Sequence, residues 1–91
     1  MPAFVVGVFE GDVDAWTERF LSDPLGRRQV AKGHTLLRSA ENPNQVFVRL
    51  EFDKIEDAKA FAEKVRASDV LDGLTQTIPP TPAELLDRAE Y

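Results

Sequence analysis

The chain has 91 residues, of which 43% are hydrophobic and 30% are charged, and it carries a formal net charge of -5. This length provides one modest hydrophobic core, so residues 1–91 are expected to form a single domain. The negative charge disfavours nucleic acid and anionic membranes as partners, and the absence of cysteine excludes disulfides and zinc–thiolate sites.

The sequence has no apolar run that approaches the roughly 20 residues needed to cross a bilayer. Its amino-terminal residues show no basic region followed by a long apolar stretch, so no signal peptide is expected. These features predict a cytoplasmic protein without a membrane partner.

Residues 3–9 are rich in Val and Phe and predict a first β-strand. Asp12 follows as a candidate helix N-cap, and an amphipathic helix is predicted from there to about Ser22. The apolar residues at helical spacing are Val13, Trp16, Phe20 and Leu21. A proline and a glycine end this helix, and residues 25–32 are predicted to form a further helical turn.

Two segments of alternating character, residues 34–40 and 45–52, flank a turn that contains Asn and Pro, and they predict a β-hairpin. In the second arm one face is apolar, whereas the other mixes apolar and charged side chains. The apolar face carries Val46, Val48, Leu50 and Phe52, and the mixed face carries Phe47, Arg49 and Glu51. The mixed face is where a partner surface or a binding site is expected.

The register of this hairpin depends on the length of its loop. With a two-residue loop, Pro43-Asn44, Arg49 would lie opposite Arg38. Glu51 would then lie opposite Leu36 on the same face. A loop one residue longer would shift these pairs and turn the first arm over. Facing arginines need a carboxylate or an anion between them, so this register predicts either interface salt bridges or an anionic-ligand site.

The remainder of the chain predicts a helix, a strand and a further helix. Asp53 and Glu56 resemble a capping box, and the predicted helix covers residues 54–67. Its apolar stripe consists of Ile55, Ala58, Phe61, Ala62 and Val65. Residues 74–78 predict a final strand that the following proline pair would stop. Thr81-Pro82-Ala83-Glu84 then predicts a carboxy-terminal helix, because it places a hydroxyl cap, a proline and a glutamate at the positions that favour helix initiation.

The element order is strand–helix–strand–strand–helix–strand with a terminal helix. It predicts an α+β, ferredoxin-like βαββαβ fold with a four-stranded antiparallel sheet plus a C-terminal helix. Both main helices would cover one face of the sheet and leave the mixed face open. We therefore expect a homodimer in which two sheets face one another, as a dimeric α/β barrel.

The helix segment Trp16-Thr-Glu-Arg-Phe20 and the hairpin segment Asn42-Pro-Asn-Gln-Val-Phe-Val48 resemble the dimeric α/β-barrel superfamily. That group includes antibiotic-biosynthesis-monooxygenase-like proteins, small polyketide cyclases and stress-responsive barrel proteins, and the resemblance covers nearly the whole chain in element order. It implies a homodimer, and often a pocket between the sheet and the helices of each subunit. Haem-degrading members use a histidine on a helix, whereas His34 opens a strand, so neither haem nor another cofactor is expected.

Four residues are candidate substrate contacts. Trp16 and Phe61 lie on the apolar faces of the two helices, where they either fill the core or stack an aromatic substrate. Arg49 and Glu51 lie on the mixed face of the sheet, where they form interface salt bridges or contact a ligand.

His34 and Arg38 are the candidate catalytic residues. With a neighbouring carboxylate such as Asp53 or Glu51, His34 could be a general base. In an enzyme, His34 or Arg38 would handle protons or stabilise an enolate, and the alternative is that they are polar strand residues, with Arg38 in a salt bridge. The Arg27-Arg28 doublet is interpreted as solvated, with binding of a carboxylate or phosphate as the alternative. No metal site is predicted, because one histidine and scattered carboxylates show no ligand spacing.

Two functions follow as hypotheses. The first is a small dimeric barrel that binds a small hydrophobic or aromatic molecule without catalysis. The second is a cofactor-independent monooxygenase or cyclase that acts on an aromatic polyketide-like substrate. The discriminating feature is whether the pocket holds a convergent base and oxyanion donors or only apolar walls.

Overall fold

The computed structural model describes all 91 residues and contains one antiparallel sheet and two α-helices. The elements are β1 (Ala3–Glu10), α1 (Val13–Leu21), β2 (Gly33–Arg38), β3 (Gln45–Phe52), α2 (Ile55–Arg66) and β4 (Thr75–Glu84). The strand order in the sheet is β2-β3-β1-β4, and all three strand pairs are antiparallel. The predicted α+β class is confirmed, and the arrangement is compatible with a ferredoxin-like fold. Neither helix is long and apolar enough to cross a membrane.

Helix α1 begins where the sequence predicts. The Asp12 side chain accepts a hydrogen bond from the backbone N–H of Ala15 at 3.0 Å, which satisfies one of the free N–H groups of the first turn. The helix buries Val13 and Trp16 against the sheet. After α1 the predicted further turn is a short 3₁₀ helix at Arg27–Gln29.

Helix α2 lies within the predicted range and is one residue shorter at each end, and its predicted cap is wrong. Its N-cap is Lys54, and no side chain caps the first turn, so Asp53 and Glu56 do not form a capping box. Acidic residues in the first turn and basic residues in the last turn complement the helix dipole instead. The buried side of the helix consists of Ala58, Phe61 and Ala62.

The hydrophobic core lies between the two helices and one face of the sheet. The alternation of β3 predicted this face, since every second residue from Val46 to Phe52 is buried. From the central strand β1, Ala3, Val5 and Phe9 join the same cluster. Phe52 is completely buried and packs against Phe61 with 5.6 Å between ring centroids.

The hairpin register differs from the two-residue-loop prediction. Arg38 pairs with Val46 and not with Arg49, a shift of three positions along β3. Because side chains alternate between faces, an odd shift turns β2 over, so Leu36 and Arg38 lie on the helix-covered face. The loop is longer than predicted because Ser39 N–H donates to the carbonyl of Gln45 at 3.0 Å, and the Ser39 hydroxyl accepts N–H bonds inside the loop.

The predicted carboxy-terminal helix is absent. Strand β4 continues through Pro79, Pro80 and Pro82 to Glu84, and residues 85–91 form neither helix nor strand. Proline is tolerated in this edge strand because alternate N–H groups have no partner strand to bond. The consecutive pair Pro79-Pro80 lies where the register with β1 shifts, between Ile78 and Thr81, so regular pairing is interrupted there. Arg66 of α2 also donates a hydrogen bond to the carbonyl of Pro80, which ties this part of β4 to the helix layer.

The other face of the sheet carries no helix. The registers place Phe4, Val6, Val8, Thr35, Leu37, Phe47, Arg49 and Glu51 on this face, which we call the open face. Leu37 and Phe47 are 57% and 39% exposed. At one end the carboxy-terminal segment reaches over this face, where Arg88 donates to Glu51 at 3.0 Å and its guanidinium lies 5.7 Å from the ring centroid of Phe4.

Candidate functional site

A cavity of about 420 Å³ lies between the helix-covered face of the sheet and the surrounding helices and loops. Its hydrophobic walls include Phe9, Val48 and Leu50 from the sheet, Trp16 and Phe20 from α1, and Val65, Val70 and Leu71 from α2 and the loop after it. The loop between α1 and β2 contributes residues 22–25 and Arg27. Small-molecule sites in proteins occupy roughly 300–1,000 Å³, so the cavity has the size of a binding site.

A row of aromatic rings runs from the core past the cavity to the surface. Phe9 meets Trp16 edge to face with 5.8 Å between centroids, and Trp16 lies 5.1 Å from Phe20. The Phe20 and His34 rings meet edge to face with 5.0 Å between centroids. Residues at helical spacing on α1 therefore meet a strand residue of β1 and one of β2, and Phe9, Trp16 and Phe20 give the cavity an aromatic wall of mutually inclined rings.

Arg27 is a buried arginine at the edge of this wall, and it is only 4% exposed. Its Nη1 donates to the backbone carbonyl of Phe20 at 2.9 Å, and its guanidinium lies 3.8 Å from the centroid of the Phe20 ring. The carboxylate of Asp23 is 3.8 Å away from Nη1. Burial lowers the pKa of Arg27 below its usual value, and the charge of Asp23 opposes that shift.

Two polar atoms of this pair have no hydrogen-bond partner in the protein. They are Nη2 of Arg27 and Oδ1 of Asp23, and both are shielded from solvent. The other carboxylate oxygen of Asp23 accepts only a long bond of 3.3 Å from the backbone N–H of Arg28. Buried polar groups in folded proteins are almost always paired, and leaving one unpaired costs about 1–3 kcal/mol. Neither atom has surface that a molecule in the cavity could reach, so the pair is a buried polar cluster at the side of the cavity.

The backbone at Asp23 is also unusual, since it is the one non-glycine residue with positive φ, at 60°. Aspartate is among the residue types that most often adopt this left-handed conformation. It reverses the chain directly after α1, and Gly26 follows with φ of 68°. These two turns bring Arg27 back under Phe20, seven residues earlier in the chain.

The structure separates the two aromatic residues predicted to contact substrate. Trp16 lines the cavity and is almost completely buried. Phe61 is buried too, but it belongs to the core beside Phe52 and is not part of the cavity wall.

The two predicted catalytic residues lie outside the cavity. His34 contacts the Phe20 ring, and desolvation and the charges of Arg27 and Arg28 lower its pKa below the usual value. Arg38 is exposed and donates to the carboxylate of Asp14 on α1. They lie at opposite ends of β2 and share no pocket.

Arg49 and Glu51 lie on the open face, separated from the cavity by the sheet. The Arg49 guanidinium is 5.8 Å from the ring centroid of Phe4, and Glu51 accepts a hydrogen bond from Arg88. The predicted pairing of Arg49 with Arg38 does not occur, because the longer loop places Thr35 opposite Arg49.

Sequence reasoning missed Asp23 as a site residue and interpreted both arginines of the Arg27-Arg28 doublet as solvated. Arg28 is exposed, but Arg27 is buried, so that interpretation is wrong for Arg27. The available signal was the position of the doublet just after a proline and a glycine, which reverse the chain towards α1. No group of three His, Asp or Glu side chains is close enough together to hold a metal ion.

A scan against models of known protein families and searches of curated proteins and of solved structures found no match for this chain.

Proposed function

We propose that this protein binds a small hydrophobic or aromatic molecule in the cavity between the sheet and the helices. The observation that supports the proposal is a volume of about 420 Å³ with aromatic and aliphatic walls in a chain of only 91 residues. The cavity is open to solvent on one side, so a ligand can enter it, and its size and mostly apolar walls are typical of small-molecule sites. An apolar ligand would gain the transfer free energy of every surface that it removes from water.

We further propose that two copies of the chain associate through the open face. Leu37 and Phe47 expose apolar surface on the open face, and Arg49 and then the charged pair of Glu51 and Arg88 follow along the same face. Apolar surface with charged groups around it is typical of protein–protein interfaces. This homodimer is also what the resemblance to the dimeric α/β-barrel superfamily implies.

The monooxygenase or cyclase hypothesis stays a prediction. It required a base and an oxyanion donor that converge on the substrate. His34 and Arg38, which were to supply them, are not among the residues of the cavity wall. Binding is therefore the function that the geometry favours.

Titration with naphthalene as an aromatic probe and 1-octanol as an aliphatic probe tests the binding proposal. Trp16 is the only tryptophan, so its indole N–H gives a single, assigned signal in a nitrogen–proton NMR spectrum. We expect this signal to shift on titration, with a matching heat in calorimetry. If neither probe moves the signal or produces heat, the cavity is not a binding site for apolar molecules.

A matched pair of variants locates the binding. Val65→Phe adds volume to the cavity wall, whereas Val30→Phe makes the same change at an exposed residue outside the cavity. We expect the first variant to lose affinity at least tenfold and the second to bind as the unaltered protein does. Equal affinity in both variants would place the binding elsewhere.

A further inference from the structure

Residues 85–91, which we call the tail, cross the open face of the sheet over strand β1. Glu84 is the last residue of β4 and pairs with Ala3 of β1, whereas Arg88 donates a hydrogen bond to Glu51 of β3 at 3.0 Å. Strand β1 lies between β4 and β3 in the sheet. The tail therefore passes over β1 on the side of the sheet that carries no helix.

Phe4 of β1 is the ring that lies under this crossing. It is only 8% exposed, although no helix covers the open face, whereas Leu37 and Phe47 on the same face are exposed. The guanidinium groups of Arg49 and Arg88 lie 5.8 Å and 5.7 Å from the centroid of the Phe4 ring. The tail thus withholds an aromatic ring from the apolar surface of the open face.

The tail is held by few interactions. Its one hydrogen bond to the sheet is the salt bridge of Arg88 with Glu51, whose side chains are 54% and 27% exposed. Leu86 and Tyr91, the large apolar residues of the tail beyond Leu85, are fully exposed. An exposed salt bridge favours the state that contains it by about fivefold at most. A competing partner can therefore displace the tail at modest cost.

An apolar row crosses all four strands beside this end of the face. It consists of Leu37, Phe47, Val8 and Ile78, each of which pairs with the next across neighbouring strands. Three of these side chains, all except Val8, are among the exposed large hydrophobic residues of the chain. Val6 and then Phe4 follow Val8 along the open face of β1, so displacement of the tail would extend the apolar surface to Phe4.

The size of the face indicates that a second copy needs this extension. Four strands about 4.8 Å apart, with eight residues of about 3.3 Å in β1 and β3, give a flat area of roughly 500 Å². An interface of standard size buries about 800 Å² of accessible surface on each copy. Side chains increase the accessible area above the flat area, but the row alone is too small. A dimer of two sheets therefore requires the Phe4 end as well.

We propose that the tail competes with a second copy of the chain for the Phe4 end of the open face, so that the dimer contains displaced tails. Displacement frees the Phe4 ring and the Glu51 carboxylate for contact with the second copy. A copy with a docked tail cannot form the full interface, so the docked fraction in both copies raises the apparent Kd of the dimer. This inference rests on the proposed dimer and adds what limits its formation.

Sedimentation velocity over a concentration series tests the competition in the full-length chain. Arg88→Ala removes the salt bridge and the guanidinium above Phe4, so it should lower the Kd of the dimer. The expected change is at least threefold and at most about 25-fold, since each of two tails contributes up to about fivefold. Arg28→Ala is the matched control, because it makes the same change at an exposed residue of the helix layer, and it should leave the Kd unaltered. Thermal unfolding shows that both variants are folded.

Backbone NMR relaxation of the tail gives a second measurement that needs no change at Arg88. The steady-state nitrogen–proton NOE of the Arg88 amide reports whether the tail is ordered. It should be high in the monomeric Phe47→Glu variant, where the tail stays docked, and low in the dimer of the unaltered protein. A tail that is equally ordered in monomer and dimer is not displaced, and that result would overturn the inference.

The remaining outcomes separate the competition from the dimer itself. If the chain dimerises and Arg88→Ala leaves the Kd unchanged or raises it, the tail does not compete and the proposed dimer stands. If Arg28→Ala tightens the dimer as much as Arg88→Ala, the effect belongs to overall charge and the inference is wrong. If neither the unaltered protein nor the variants dimerise, the proposed dimer fails and the inference fails with it.

Discussion

Gly7 occupies a position on β1 where even one methyl group cannot fit without movement of the core. It pairs with Val48 on the helix-covered face. A Cβ atom built on Gly7 would lie 2.6 Å from Cζ of Phe9 and 3.1 Å from its Cε1. The φ of Gly7 lies outside the left-handed region, so alanine has no backbone strain there and the effect is steric.

Phe9 cannot easily yield to this methyl group. It is 3% exposed and packs edge to face on Trp16, so displacement of its ring disturbs the aromatic wall of the cavity. Overpacking of a core in this way costs about 1–3 kcal/mol. For a domain of this size each kcal/mol corresponds to roughly 4–8 °C in Tm. We therefore expect Gly7→Ala to lower the free energy of unfolding by about 1–3 kcal/mol.

Urea unfolding followed by the fluorescence of Trp16 measures the effect, with a double-mutant cycle to identify its cause. Phe9→Leu removes the ring atoms that Cβ meets, so Gly7→Ala should cost less in that background than in the unaltered protein. Gly33→Ala is the control, because a Cβ there has no neighbour within 4 Å. The steric reasoning is refuted if the two changes at positions 7 and 9 add to within about 0.5 kcal/mol.

Three further predictions concern the open face, His34 and Arg38. Phe47→Glu should convert the proposed dimer to monomers in analytical ultracentrifugation. Leu21→Glu is the control, because Leu21 is a residue of α1 that is 48% exposed, and this variant should stay dimeric. A dimer that persists in both variants places the interface elsewhere. The pKa of His34 is lowered in the folded state, so as the pH falls through about 6.5 the unfolded chain binds more protons than the folded chain. The free energy of unfolding should therefore fall on acidification, and His34→Gln should reduce its dependence on pH. Parallel curves of stability against pH for the two proteins would contradict this. Arg38→Ala should cost at most about 1 kcal/mol, since both it and its partner Asp14 are largely exposed, and a larger loss in urea unfolding would show a role beyond the ion pair.

The secondary structure of the first two thirds of the chain could largely be predicted from local sequence. Asp12 caps α1 as predicted, and the alternation of β3 identified the core face of the sheet. These features depend on interactions within a few residues, which is why the sequence pattern carries them. The Asp53 cap of α2 was the local prediction that failed.

The hairpin register depended on contacts outside the hairpin. The loop is bonded to the end of β1, where Gly11 N–H donates to the carbonyl of Asn44 at 2.8 Å and the Asn42 amide donates to Glu10 at 3.0 Å. A two-residue loop would forgo these bonds, although nothing in the local sequence excludes it. The face on which Arg38 lies was therefore decided by β1.

The last third of the chain shows tertiary context overriding a local pattern. Thr81-Pro82-Ala83-Glu84 has the composition of a helix start, but these residues pair with β1 as an edge strand. Pairing with a central strand satisfies the backbone over many residues, whereas a single capped turn satisfies only a few groups.

The candidate site also has one part that follows from local sequence and another that depends on the fold. Trp16 and Phe20 lie four positions apart, so their place on one face of a helix could be predicted from the sequence. The burial of Arg27 against Phe20 beside Asp23 could not be predicted, since it depends on how two left-handed residues reverse the chain. Periodicity reports which face of an element is apolar, but the burial of a charge depends on partners that the fold brings together.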